Sequence, residues 1–170
     1  AGIIHRDVKP TNILISWEGE VKLVDFGVAK LAGRGSDRYL SGTVAYMSPE
    51  QANLSAVDRR TDIFSTGIVL YEMLTGELPF RGSSRMVLHQ VVHDDPSSPR
   101  KFVSHIPTDL ETICLKCMEK DRASRYHTAS DLADELDRFL NGNPILARPT
   151  SSLDRAWRSC RRNPVVAVLS

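Results

Sequence analysis

The sequence predicts a mostly α-helical domain with a small β-hairpin near its beginning. Two short β-like runs, residues 13–16 and 21–26, flank a turn that contains Gly19, and this pattern is typical of a hairpin. After residue 48, apolar residues recur at helical spacing in four segments. The 170 residues are enough for one domain with a hydrophobic core.

The composition is that of an ordinary soluble domain, with 41% hydrophobic and 25% charged residues. A formal net charge of +1 gives no global field that would favour nucleic acid as a partner. Cysteine is sparse and odd in number (Cys114, Cys117 and Cys160), which argues against a disulfide framework and fits a reducing compartment. The chain begins without methionine or a signal-peptide pattern, and we interpret it as part of a longer protein.

The helical segments carry recognisable end signals. Pro49 suits the first turn of a short helix. In the central segment, 61–76, Thr61 is the expected N-cap and Gly76 the expected C-cap. Apolar residues cover nearly all sides of this segment, which predicts a buried central helix.

Three further segments predict amphipathic helices, at residues 84–92, 107–120 and 128–142. In the second, Thr108 and Glu111 have the spacing of a capping box. In the last, we expect Gly142 to stop the helix and four residues to face the core: Leu132, Leu136, Phe139 and Leu140.

The first residues carry groups suited to phosphoryl transfer. Asp7 is a loop carboxylate that could accept or orient a hydroxyl proton. Asn12 and Asp25 offer oxygen ligands of the kind that Mg²⁺ prefers. Lys9 could neutralise charge on a transferred phosphoryl group. Because closure of the hairpin would bring Asn12 and Asp25 together, the sequence predicts a phosphoryl-transfer site there.

Six motifs in order give the chain a resemblance to the large, C-terminal lobe of eukaryotic-type protein kinases. They are HRDVKPTN from His5, DFG from Asp25 through Phe26 to Gly27, Gly42-Thr43, SPE at 48–50, DIFSTG at 62–67, and Arg125. The resemblance covers roughly residues 1–140. Lys9 resembles the serine/threonine class, and YMSPEQ resembles the bacterial branch. The implied fold is the large lobe of the protein-kinase-like fold with the small lobe missing.

The resemblance implies a role for each catalytic position. Asp7 would accept or orient the substrate hydroxyl, and Lys9 would face the γ-phosphate of ATP. Asn12 and Asp25 would hold Mg²⁺, so that the cofactors are ATP and Mg²⁺. Thr43 would contact Asp7 and Lys9 and favour a Ser or Thr acceptor.

Further positions would support the site. By the same resemblance, His5 would brace the loop, Arg6 would pair with a phosphorylated residue, and Phe26 and Gly27 would complete the DFG motif. Asp62 would accept hydrogen bonds from the catalytic-loop backbone, since a buried carboxylate needs partners. Glu50 and Arg125 would form a buried ion pair, and the candidate phosphorylation sites are Ser36, Ser41 and Thr43.

The implied activity is transfer of the γ-phosphate of MgATP to Ser or Thr hydroxyls of protein substrates. No Gly-rich loop, strand lysine or partner glutamate of a kinase small lobe occurs in the sequence, so we expect the chain to be a poor enzyme alone. A non-catalytic, kinase-like scaffold remains the alternative. The sequence departs from the family pattern at two positions. Ser48 stands in place of alanine, which is a mild change. Arg122 stands in place of proline, which predicts a looser turn before Arg125.

The tail changes character after Pro144. We predict a kinase lobe at 1–141, a basic juxtamembrane-like linker at 142–164, and the candidate start of a transmembrane helix at 165–170. The tail has five arginines against one aspartate before the apolar run 165–169, as on a cytoplasmic membrane flank. The run is shorter than the roughly 20 residues of a membrane span. A basic terminus and the flank of a membrane-anchored, cytoplasmic kinase domain therefore both remain open.

Two other patterns favour ordinary structure over a metal site. Cys114 and Cys117 form a single CxxC pair, which indicates two thiols on a buried helix face more than zinc or redox chemistry. His89 and His93 lie one helical turn apart, but Gln90 stands where a zinc protease has glutamate. We therefore expect a surface helix that carries these two histidines.

Overall fold

The computed structural model describes residues 3–26 and 44–147. A two-stranded antiparallel hairpin comprises β1 (Ile13–Ile15) and β2 (Val21–Leu23). The helices are α1 (Pro49–Ala52), α2 (Arg60–Thr75), α3 (Ser84–His93), α4 (Thr108–Cys117) and α5 (Ala129–Leu140). Short 3₁₀ turns lie at Pro10–Asn12, Pro99–Lys101 and Arg122–Ser124. The predicted fold, mostly helical with a small hairpin, is confirmed.

The hairpin pairs Ile13 with Leu23, and its tight turn contains Gly19 at a φ of 86°. Such a positive φ costs glycine little because it has no Cβ. One hydrogen bond extends the pairing, from the Val24 N–H to the Asn12 carbonyl at 2.9 Å. This bond holds the end of β2, directly before Asp25, against the end of the predicted catalytic loop, residues 5–12.

The central helix α2 is buried as predicted, but it begins differently. Arg59 is its N-cap, and the Arg60 N–H donates to the Asp58 carboxylate at 2.8 Å. Thr61 as the N-cap is therefore wrong: its buried hydroxyl lies in the first turn and donates to Glu50 at 2.7 Å. Gly76 as the C-cap is confirmed, at a φ of 73°.

The core lies where α2 meets α4. Gly67 makes this close approach possible, since a Cβ there would lie 2.6 Å from the Cys117 Cβ and 2.9 Å from the Met118 Cγ. Around it, one cluster includes Phe64, Ile68, Tyr71, Val91, Cys114 and Met118, and a second comprises Ile63, Ile113, Cys117, Tyr126 and Leu132.

The CxxC pair is part of this core. Cys114 and Cys117 are free thiols with no exposed surface. Burial raises the pKa of the Cys117 thiol to about 12 and that of Cys114 well above its usual value. The prediction of two thiols on a buried helix face is confirmed.

The start of α4 differs from its prediction. Pro107 is the N-cap, so the Thr108 and Glu111 capping box is wrong. The Glu111 carboxylate instead accepts a hydrogen bond from the Ser98 hydroxyl, and the Thr108 hydroxyl accepts one from Arg100 at 3.0 Å. These partners in the preceding turn take the two side chains away from the helix end.

Helix α5 packs Leu132, Leu136 and Phe139 against the second cluster, as predicted. Leu140 as a core residue is wrong, because it is 76% exposed at the last position of the helix. Gly142 follows the helix end with a φ of 70°. Beyond it, the buried Glu135 carboxylate accepts hydrogen bonds from the backbone N–H groups of Leu146 and Ala147.

On α3, the rings of His89 and His93 lie 4.7 Å apart. In the parts of the chain that the structure describes, no group of three or more His, Cys, Asp or Glu residues could hold a metal ion. Within the same ranges, none of the helices has the length and apolar character needed to cross a membrane. Residues 148–164 of the predicted linker (142–164) and the predicted membrane-helix start at 165–170 lie outside the described residues.

Candidate active site

The predicted catalytic residue Lys9 and the predicted metal ligand Asn12 both contact the Asp7 carboxylate. Lys9 Nζ donates to Asp7 Oδ2 at 2.7 Å, and Asn12 Nδ2 donates to the same oxygen at 3.1 Å. Asn12 Nδ2 also donates to the Asp7 backbone carbonyl at 2.8 Å. Pro10 begins the 3₁₀ turn that returns Asn12 to this position, and the Asn12 N–H donates to the Lys9 carbonyl at 3.0 Å.

Asn12 and Asp25 suit a divalent cation. Asn12 is buried, and since its amide nitrogen makes both bonds to Asp7, its oxygen Oδ1 is the atom left for another ligand. Asp25 follows the Val24 hydrogen bond to Asn12 and has a φ of 62°. One carboxamide oxygen and one carboxylate form a donor set that fits Mg²⁺.

His5 joins the catalytic loop to the hairpin. Its ring is buried; Nδ1 accepts the Asp7 N–H at 3.2 Å, and Nε2 lies 2.9 Å from the Val24 carbonyl. These two partners require the tautomer with the proton on Nε2. The ring centroid also lies 4.8 Å from that of Phe26, which is itself more than half exposed.

Asp62, in the first turn of α2, holds the backbone of the predicted catalytic loop. Its Oδ2 accepts the His5 N–H and its Oδ1 accepts the Arg6 N–H, both at 2.8 Å. Arg6 has a φ of 68°, a left-handed conformation that is uncommon for a residue with a side chain. The bonds from Asp62 therefore stabilise a strained residue directly before Asp7.

Glu50 and Arg125 form a bidentate, buried ion pair. Arg125 Nη1 donates to Oε1 at 2.8 Å and Nη2 to Oε2 at 3.0 Å, with side-chain exposures of 0% and 4% for Arg125 and Glu50. Other Arg125 N–H groups donate to the carbonyls of Glu119, Arg60 and Lys120. Burial acts to raise the pKa of Glu50, but the hydrogen bonds and charge of Arg125 outweigh it, and the net pKa is lowered.

Arg122, which stands in place of proline before Arg125, connects the turn to the segment before α2. Its Nη1 donates to the Ala56 carbonyl at 2.8 Å and lies 3.5 Å from Asp58 Oδ2. Asp58 is also held by Arg60, whose hydrogen bonds lower the pKa of the Asp58 carboxyl to about 2. The turn is thus tied to the start of α2 without a proline.

Ser48 and Gln51 connect α1 to the loop before Asp7, a connection that the sequence did not predict. Ser48 is the N-cap of α1 and forms a capping box with Gln51. Gln51 Nε2 also donates to the Arg6 carbonyl at 2.7 Å. The spacing S-x-x-Q was a visible signal for the capping box, but it carried no information about a contact 45 residues away.

Some predicted site residues lie outside the described residues, namely Gly27, Ser36, Ser41 and Thr43. The contact of Thr43 with Asp7 and Lys9 therefore stays a prediction. Among the described residues, the structure brings together Asp7, Lys9 and Asn12 and joins Asp62 to the loop. For Asp25 it shows only that the preceding residue, Val24, is hydrogen-bonded to Asn12.

Comparison with known proteins gives a consistent result. The sequence model described as "Protein kinase domain" matches residues 1–136. The chain is 45% identical over 149 residues to the serine/threonine-protein kinase PknB of Mycobacterium tuberculosis, covering 84% of this chain and 24% of that protein. It is 44% identical over 153 residues to the probable serine/threonine-protein kinase PknB of Bifidobacterium longum, covering 86% and 22%.

A probable serine/threonine-protein kinase of Clostridium perfringens is 39% identical over 170 residues, which cover 98% of this chain and 25% of that protein. The chain thus spans about a quarter of the length of these curated relatives. The match of the family's sequence model over most of the chain, together with these identities, is decisive. The chain belongs to the protein kinase domain family.

Proposed function

We propose that this chain carries the catalytic loop of a protein serine/threonine kinase, which transfers the γ-phosphate of MgATP to Ser or Thr hydroxyls of proteins. The observation that carries the proposal is the Asp7 carboxylate, with Lys9 and Asn12 both donating to Oδ2. This arrangement leaves Asp7 Oδ1 for a substrate hydroxyl. The relatives named above, which are serine/threonine-protein kinases or probable ones, support the same activity.

Each residue of the cluster has a defined task. Asp7 accepts or orients the proton of the substrate hydroxyl. Lys9, held 2.7 Å from Asp7, supplies positive charge where the transferred group gains negative charge. Asn12 Oδ1 and the Asp25 carboxylate would hold Mg²⁺, which neutralises phosphate charge when bound. His5 and Asp62 keep the loop backbone in place.

The proposal extends to regulation through phosphorylation of the segment between residues 27 and 43. Phosphate on Ser36, Ser41 or Thr43 would pair with the Arg6 guanidinium, which is exposed beside the catalytic loop. Thr43 would contact Asp7 and Lys9 and thereby favour alcohol acceptors of the Ser/Thr type. Phosphosite mapping of the autophosphorylated protein tests this assignment.

We also propose that the kinase domain lies in the cytoplasm and that the segment after it in the sequence attaches the protein to the membrane. Its support is the basic cluster that precedes the apolar residues 165–169, because positive residues flank membrane helices on the cytoplasmic side. Fractionation of cells that express the full-length protein tests it, since recovery in the membrane-free fraction would contradict attachment.

The experiment on activity compares the full-length protein with its Asp7→Asn variant, using radiolabelled ATP, Mg²⁺ and a protein acceptor. We expect phosphoserine or phosphothreonine from the wild type and a loss of about a thousandfold in kcat for Asp7→Asn, with an unchanged melting temperature. Asp137→Asn, on the exposed face of α5, is the matched control and should keep full activity. A folded wild type without phosphotransfer would favour the scaffold alternative.

A further inference from the structure

We infer that Gln51 is a positioning residue, which holds the peptide group between Arg6 and Asp7 in the orientation that catalysis needs. The inference rests on the proposed kinase function. Its basis is the hydrogen bond of 2.7 Å from Gln51 Nε2 to the Arg6 carbonyl. This carbonyl belongs to the peptide group that leads directly into the Asp7 backbone nitrogen.

That peptide group needs external support because of its backbone conformation. Arg6 has a φ of 68°, which places a side-chain-bearing residue in the left-handed region. Asp62 accepts the N–H of Arg6 at 2.8 Å, and His5 Nδ1 accepts the N–H of Asp7 at 3.2 Å. Gln51 completes the set by binding the carbonyl between those two N–H groups.

Gln51 can do this because its side-chain amide is held at both ends. While Nε2 donates to Arg6, Oε1 accepts the Ser48 N–H at 3.0 Å within the capping box of α1. The preceding residue, Glu50, is fixed in the core by Arg125. The side chain of Gln51 is therefore a short connection of fixed geometry between α1 and the catalytic loop.

The consequence is a coupling between the position of α1 and the orientation of Asp7. If α1 moves, the Arg6 carbonyl loses its donor and the Arg6–Asp7 peptide is free to rotate away from the left-handed conformation. Such a rotation turns the Asp7 carboxylate relative to Lys9 and Asn12. Small misplacements of a catalytic group are known to lower rates strongly, so the coupling should appear in kcat.

Gln51→Glu in the full-length protein separates the two roles of the side chain. A carboxylate keeps the acceptor for the Ser48 N–H, and glutamate is a usual capping-box residue, but the donor to Arg6 is lost. We expect kcat to fall about tenfold, the equivalent of one hydrogen bond, with the KM for ATP and the melting temperature nearly unchanged.

The pH profile supplies a readout that a purely structural role would not move. When the introduced carboxyl is protonated, its O–H can donate to the Arg6 carbonyl. The ratio of variant to wild-type kcat should therefore rise as the pH falls from about 8 to about 5.5, where a carboxyl beside a carbonyl oxygen gains its proton. Using the ratio removes the pH dependence that both proteins share.

Two further variants act as controls. Ser48→Ala removes the hydroxyl of the cap but leaves the donor of Gln51, so we expect a lower melting temperature and a kcat within about twofold of wild type. Gln51→Met, of similar size, has neither donor nor acceptor. We expect it to lose kcat as Gln51→Glu does, but without any recovery at low pH.

The outcomes separate this inference from the proposed function. An active wild type with wild-type kcat in Gln51→Glu overturns the inference and leaves the kinase function intact. A decrease in kcat that is equal in Ser48→Ala and Gln51→Glu, with no pH recovery, also overturns it, because the cap alone would then explain the loss. A wild type as inactive as Asp7→Asn overturns the proposed function and the inference together.

Discussion

The catalytic-loop region, residues 3–26, and the helical body, residues 44–147, are built in different ways. Among the buried hydrophobic residues of the described chain, Val8 alone comes from the catalytic-loop region. The hairpin exposes much of its apolar surface, including Ile15, Val21 and a fully exposed Trp17. The helical body, in contrast, has two buried clusters on either side of α2.

This difference shows how the site keeps its geometry without a core of its own. The predicted catalytic loop depends on hydrogen bonds with the body: Asp62 accepts from two backbone N–H groups, and Gln51 donates to one carbonyl. Side chains inside the body should therefore control stability, and the few that reach the loop should control rate.

Replacing Arg125 by alanine should have the largest effect on stability. It leaves the Glu50 carboxylate, with a side chain only 4% exposed, without its counter-ion. Removing one partner of a buried pair costs about 3–5 kcal/mol, so the free energy of unfolding of the full-length protein should fall by that amount in urea titrations.

The matched control is Arg81→Ala. Arg81 pairs with Glu77 at 2.9 Å, but both side chains are about half exposed. Such a surface pair contributes about 0.3–0.5 kcal/mol. Equal shifts of the unfolding midpoint in the two variants would contradict the claim that the buried ion pair stabilises the body more than a surface pair does.

Asp62→Ala should separate rate from stability. It removes the acceptors of the His5 and Arg6 N–H groups and so frees the loop before Asp7. We expect kcat to fall about a hundredfold, with a smaller change in melting temperature than for Arg125→Ala. Asp58→Ala is the control, since Asp58 lies at the same helix end but binds Arg60 and Arg122. Comparable kcat losses in both variants would contradict the specific role of Asp62.

Gly67→Ala tests the close packing of α2 on α4. Its Cβ would lie 2.6 Å from the Cys117 Cβ, so one helix must shift. Overpacking of this kind costs about 1–3 kcal/mol, measured as a lower free energy of unfolding. Met73→Ala, on the exposed side of the same helix, should change it by less than about 0.5 kcal/mol. A neutral Gly67→Ala would show that the helices can separate without cost.

Acid should weaken the body through Glu50. Its folded-state pKa lies below the usual value of 4.5, so its contribution is present above that value and is lost as the pH falls through the folded pKa. The difference in unfolding midpoint between wild type and Glu50→Gln should therefore shrink below about pH 4.5. A difference that stays constant down to about pH 3 would exclude this contribution.

Local patterns predicted the local parts of the structure well. The hairpin, the helical segments and the buried CxxC face follow from periodicity and turn residues, which act over a few positions. The cap assignments at Thr61 and Glu111 were wrong because both side chains bind tertiary partners, Glu50 and Ser98 respectively. A cap rule considers only neighbours along the chain and cannot include such competitors.

The candidate site shows the same limit. Asp7, Lys9 and Asn12 lie within six residues of each other, so their spacing alone suggested that they could meet. The bond from Gln51 to Arg6 spans 45 positions, and no periodicity encodes it. Motifs recognised as a set supplied the long-range partners Glu50, Arg125 and Asp62, which composition and spacing could not supply.

The Glu50–Arg125 pair joins positions 75 residues apart, and this separation bears on how the lobe folds. Closing so long a loop costs chain entropy, and this cost comes before the ion pair stabilises the folded chain. During synthesis from the N-terminus, Glu50 emerges well before Arg125. We therefore expect a nascent chain that stops short of Arg125 to remain incompletely folded. Folding of the lobe would then be completed only after Arg125 has been synthesised.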